Sequence, residues 1–185
     1  MSNVAKELIT SFLLFTVILL KRDYFSTLAN PDDPDVRKFY VKDAKIWIVN
    51  TTMLTSNFCE VDFVWTTSQK YAFFNRSYFR NHTTRKLLGQ FRPGRSGYDT
   101  MMVAPYHGTS FESMDQLLHS YQNYTCGIFN VTLLTRGRTS YYDIRVKQAE
   151  IASPSSSCIE KFRQLFSRQR ITTLYNETCQ NNRQW

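Results

Sequence analysis

From Lys45 onward, apolar and polar positions alternate in short runs separated by turn residues, the period-two pattern of strands with one buried face. The runs predict strands over 45–52, 58–67, 70–80, 86–92, 99–105, 116–120, 124–134 and 140–148. "RPGRSG" (92–97) and "TRGRTS" (135–140) are turns, because Pro and Gly supply the backbone angles that turns need. Consecutive strands with no helix between them predict an antiparallel meander that closes on itself. Two helical patterns flank it. "NPDDPDVRKFYVKDAKI" (30–46) opens on Pro and Asp and predicts a helix of about three turns around Val36, Phe39 and Tyr40. After "SPSSS" (153–157), "CIEKFRQLFSRQR" sets Ile159, Phe162, Leu165 and Phe166 on one face, as a helix packed on the outside of a barrel would.

The N-terminus carries an apolar run from Ile9 to Leu20, broken only by Thr10, Ser11 and Thr16. It is too short to span a bilayer and the right length for the apolar segment of a secretory signal. Cleavage after Ala29, with Thr27 at the −3 position, predicts a signal peptide over 1–29 and one domain over 30–185. Lys21 and Arg22, directly behind the run, leave a retained signal anchor as the alternative. Secretion agrees with four cysteines, Cys59, Cys126, Cys158 and Cys179, none in the leader and none in a C-x-x-C pair. It agrees also with six N-glycosylation sequons, at Asn50, Asn75, Asn81, Asn123, Asn130 and Asn176.

The formal charge of +8 falls by one when Lys6, Lys21 and Arg22 leave with Glu7 and Asp23. For a secreted chain this balance reads as a solvated basic surface or an attraction to anionic ligands, not as nucleic-acid binding. Nor is a membrane span expected after signal cleavage. Aromatic residues, at 15 %, favour a strand-rich fold. Chemistry is sparse: there is no G-x-S-x-G elbow, no H-E-x-x-H pair and no phosphate-cradling glycine loop. His82, His107 and His119 lack metal-ligand spacing, and Ser96, His107 and Asp115 form a triad only by chance composition. No enzyme, catalytic residue, metal or cofactor is expected.

The sequons orient the strands, since an N-glycan cannot point into a barrel. An outward Asn75 turns Ala72, Phe74, Arg76 and Tyr78 to the lumen. An outward Asn130 turns Gly127, Phe129, Val131 and Leu133 inward and puts Cys126 outside, where it can staple an external segment to the wall. Asn123 has the opposite parity and belongs to the turn before that strand. Glu60 and Asp62, beside Val61, Phe63 and Trp65, are expected to face solvent.

"AKIWIVNTTM", "FCEVDFV", "YQNYTCGIFNV", "YYDIRVK", "CIEKF" and "LYNETCQ" occur in the order seen in tick salivary lipocalins of the histamine-binding-protein family, which the chain resembles over most of 36–180. The Gly-x-Trp opening usual in lipocalins is absent: Lys45 and Ile46 precede Trp47. The resemblance implies a mainly-β, eight-stranded antiparallel lipocalin barrel with an N-terminal helix and a C-terminal helix on its flank. It implies the pairs Cys59–Cys179 and Cys126–Cys158. It implies a monomer secreted in saliva that sequesters a small host mediator, a biogenic amine by family, to counter host defence.

Amine binders of this kind show Cys-Asp-(Leu/Ile/Val), then Glu-Leu-(Trp/Tyr), then Cys; here Cys126, Ile128, Ile144 and Cys158 keep that frame, while the Asp, Glu and aromatic positions hold Gly127, Asp143 and Arg145. The resemblance puts Asp143 inside, whereas the apolar alternation of Tyr142, Ile144 and Val146 puts it outside. The two agree only if a helix covers the outer face. The expected ligand-contacting set is Trp47, Phe74, Arg76, Tyr78, Gly127, Phe129, Asp143 and Arg145. Two other readings stand beside the amine: a scavenger of anionic lipid mediators using Arg76, and a lipocalin that binds complement or a host receptor through its loops.

Overall fold

In the computed structural model, residues 32–79, 83–94, 97–135 and 137–181 are described; the expected signal peptide and the sequon at Asn81 lie outside them. The strands are β1 (Lys45–Thr51), β2 (Val61–Thr67), β3 (Tyr71–Tyr78), β4 (Thr83–Gly94), β5 (Gly97–Pro105), β6 (Ser113–Tyr121), β7 (Cys126–Leu133) and β8 (Ser140–Lys147). Each pairs antiparallel with the next, β8 pairs with β1, and β1 pairs with β2, which closes the barrel. A two-residue strand β9 (Thr172–Thr173) joins the far end of β1 at Asn50 and Thr51. Among the described residues no helix is long and apolar enough to cross a membrane.

The first helix, α1 (Val36–Phe39), is a single turn, not three. Asp35 caps it by accepting from the Arg37 N–H. What stops it is the sheet. Val64 N–H donates to the Ala44 carbonyl and Asp43 N–H to the Val64 carbonyl, while Asp43 takes a left-handed φ of 63°. The backbone that would have made two more helical turns is already hydrogen-bonded to β2. The early stop drops Phe39 and Tyr40 into the barrel, both fully buried.

The second helix, α2 (Ser156–Leu165), is capped by the Ser155 hydroxyl and buries Cys158, Phe162 and Phe166 at i, i+4 and i+8. These residues cover Cys126, Ile128, Ile144 and Val146 on the outside of β7 and β8. Leu165, expected on the same face, is 43 % exposed. The Cys126–Cys158 disulfide staples α2 to β7, and Cys59–Cys179 ties the segment before β2 to the short helix α3 (Thr178–Asn181). Both are the pairs the resemblance implies. Trp47 packs against Cys59, Val61 and Cys179 on the outer side of β1, and its indole N–H donates to Gln148 at 2.7 Å. Its expected place in the ligand site is therefore corrected: Ile46 carries the lumen face of β1, and Trp47, one residue on, has the opposite parity.

Candidate functional site

The barrel interior is lined by apolar side chains and by a cluster of charge among them. Val64, Ala72, Phe74, Leu87, Phe91, Met101, Val103, Leu117, Phe129 and Val131 make the apolar part, closed by Phe39 and Tyr40 of the α1 segment. Beside them lie Glu60, Asp62, Arg76, Asp115, Asp143 and Arg145, none more than 7 % exposed.

Strand register assembles this cluster. Asp62 pairs directly with Arg76 across the β2–β3 hairpin, and cross-strand partners share a face. Arg76 grips Asp62 with two bonds, Nε to Oδ1 at 2.7 Å and Nη2 to Oδ2 at 2.8 Å. Its Nε also lies 3.5 Å from Glu60, and its Nη2 lies 4.0 Å from Asp115. On β8, Arg145 reaches Asp143 at 3.0 Å and Asp115 at 2.8 Å, with its guanidinium 4.3 Å over the Phe129 ring. Tyr40 joins the halves: its hydroxyl donates to Asp62 at 2.8 Å and accepts from Arg145 at 2.6 Å.

Four carboxylates thus face two guanidiniums in the water-poor core. Asp115 Oδ2 lies close to Arg145 without hydrogen-bond alignment, and Asp143, served by Arg145 and by the Thr51 hydroxyl across the strand pair, keeps a buried Oδ1 without an aligned donor. Burial pushes the Glu60 carboxyl up to about 7, with Arg76 pulling the other way. Burial likewise raises Asp143, against the pull of Arg145. Desolvation works against the charge of both arginines, yet the carboxylates and the Tyr40 oxygen around them hold both well above the ordinary guanidinium value. Among the described residues no three acidic, histidine or cysteine side chains are grouped to hold a metal.

Phe74, Arg76, Gly127, Phe129, Asp143 and Arg145 come together here, and Tyr78 sits next to Glu60 and Arg76, its hydroxyl pushed by burial to about 12. The helix-covered outer face of β8 resolves the conflict over Asp143 in favour of the inside. The expectation that Glu60 and Asp62 face solvent is overturned. It followed the apolar residues of β2, but Phe63 and Trp65 point outward and remain 45 % and 38 % exposed. The matched charges at hairpin positions 62 and 76 were the signal for the true register. His107 lies beside Tyr106 rather than with the buried Asp115, and Ser96 is outside the described residues.

Tyr40→Phe tests the bridge. Losing two bonds to charged partners is expected to cost about 3–6 kcal/mol, measured by urea denaturation with an unchanged m-value.

A closed eight-stranded meander entered through an N-terminal helical turn and flanked by a C-terminal helix is the lipocalin fold. No family model and no curated protein sequence matches the chain. Solved structures do. The siderocalin Ex-FABP, described as acting through dual ligand specificities, aligns over 73 % of this chain and 94 % of its own, at 10 % identity and a TM-score of 0.54. Japanin from Rhipicephalus appendiculatus, bound to cholesterol, aligns over 76 % and 98 %, at 10 % identity and a TM-score of 0.50.

Proposed function

We propose that the protein is a secreted salivary scavenger that holds a small cationic host mediator, a biogenic amine, inside its barrel. The observation that carries this reading is the excess of two buried carboxylates over guanidiniums. A buried carboxylate is tolerable only when paired, and an ammonium brings both the charge and the N–H donors.

The alternatives fit the same interior less well. Arg76 is already held bidentately by Asp62, so it is not free for the headgroup of an anionic lipid. A neutral sterol, the ligand named for the Japanin structure, makes no use of four carboxylates.

Calorimetric titration with histamine, serotonin, arachidonate and cholesterol is the test. Amine binding at micromolar Kd or tighter, lost in Asp143→Asn, is expected. Amine binding that survives Asp143→Asn rejects this site, and arachidonate binding abolished by Arg76→Ala supports the lipid reading instead. The pH dependence has a definite sign. Glu60 ionises near 7 in the folded protein against an ordinary value of 4.5. The free barrel therefore keeps a proton that a bound cation expels. Serotonin affinity should rise as pH climbs from 5.5 to 7 and level off above, by up to about tenfold per unit; Glu60→Gln should flatten the profile.

A further inference from the structure

The outer wall of β2 and β3, away from α2, is apolar for a surface that none of the described elements covers. Phe63, Trp65 and Tyr106 are each more than a third exposed. Trp65, Phe73 and Tyr106 contact one another, with ring centroids 5.4–6.0 Å apart. An aromatic patch of this kind marks a place where something else lies. Asn75 stands inside it, directly opposite Phe63 and two residues beyond Phe73 on the same face. Beside it runs a groove of about 450 Å³ lined by Lys45, Val61, Phe63, Asn75, Ser77 and Thr84. The sequon Asn75-Arg76-Ser77 therefore opens into a groove, and the Asn75 Oδ1 is buried with no hydrogen-bond partner.

We infer that this groove is the seat of the protein's own N-linked glycan, attached at Asn75, with its first sugars packed on Phe63 and Phe73. Attachment through the Asn75 amide nitrogen places the first ring within contact of the side chain directly across the strand pair. A pyranose presents one face of C–H groups, slightly positive, which suits the negative face of an aromatic ring. Its N-acetyl N–H and hydroxyl groups bring donors beside the unpartnered amide oxygen. The groove volume is in the range that holds small organic molecules. Two other sequons offer none of this. Asn123 sits exposed in a turn at φ 54°, and Asn176 is exposed and spends its Oδ1 on the Thr178 backbone N–H. One tripeptide would then serve both sides of the wall, with Arg76 pointing into the charged core and Asn75 holding sugar over the patch.

The test uses the full chain secreted from eukaryotic cells. Glycopeptide mass spectrometry should find Asn75 occupied. Removing the glycan by Asn75→Gln should lower Tm by roughly 3 °C or more and raise the fluorescence of a hydrophobic dye several-fold. In a Phe63→Ser background the same removal should cost less than half as much in Tm. Phe73→Ser serves if Phe63→Ser does not fold. Native glycosidase should also release the Asn75 glycan faster from the Ser variant than from the parent chain. An unoccupied Asn75, or a Tm loss that is the same with and without Phe63, overturns the inference. Dye binding that is unchanged by deglycosylation does so as well.

Discussion

Replacing Arg145 by alanine is expected to destabilise the barrel by about 3–5 kcal/mol, the usual cost of removing one partner from a buried ion pair. Arg145 is fully buried and is the cation nearest to Asp143 and to one side of Asp115, and it accounts for one of the two bonds of the Tyr40 hydroxyl. Without it, two carboxylates and a phenol oxygen lose their positive partner in the core. Two companion measurements separate charge from packing. Arg145→Ala combined with Asp143→Asn should recover more than half of the loss, because the stranded charge goes with its partner. Millimolar methylguanidinium should raise the Tm of Arg145→Ala and leave the parent nearly unmoved. Equal destabilisation in the single and double variants would assign the effect to lost volume alone.

Gly127→Asp, which would introduce the carboxylate that the resemblance to amine binders implies at this position, is expected to damage the fold rather than to improve amine binding. A Cβ at this position would meet Phe39 at 2.7 Å, Leu117 at 2.9 Å and Phe129 at 3.0 Å. Overpacking of this kind costs about 1–3 kcal/mol, and a fifth carboxylate in the core, with no further cation, adds several kcal/mol more. Gly127→Ala isolates the first contribution. Thermal unfolding should rank the parent above Gly127→Ala and Gly127→Ala above Gly127→Asp. The glycine is thus explained by its neighbours: α1 stops after one turn, and the ring of Phe39 occupies the volume that a side chain at 127 would need.

The meander was legible because each strand carries its own punctuation. Gly94, Gly97 and Gly137 mark turns, and the sequons at Asn75 and Asn130 fixed which face of β3 and β7 looks outward. The same device, carried across the hairpin, would have placed Asp62. Asn75 pairs with Phe63, so Phe63 must be outside and Asp62, its neighbour, inside with Arg76. Apolar alternation alone pointed the other way, since it assumes that aromatic rings are buried, and that rule runs in one direction only. On β8 it misled in a second manner: Ile144 and Val146 are buried, but under α2 rather than in the lumen. The length of α1 was hidden for a different reason. Its residues have helical character, and what ends it is the pairing of Ala44 and Asp43 with Val64, a contact about 20 residues away along the chain. Propensity yields to such tertiary pairing.

Trp47 has an optical consequence for anyone measuring ligands. It lies in one cluster with the Cys59–Cys179 disulfide, and disulfides are efficient quenchers of indole emission. Trp65 sits on the outer wall among Phe73 and Tyr106. Both described indoles, Trp47 and Trp65, lie on the outer side of the wall rather than among the lumen charges, so filling the interior would leave the emission of these two almost unchanged. The dominant emitter of the described chain is instead a reporter of the outer aromatic wall. From these two indoles a loaded barrel should give a silent fluorescence titration, and heat of binding is the signal to follow.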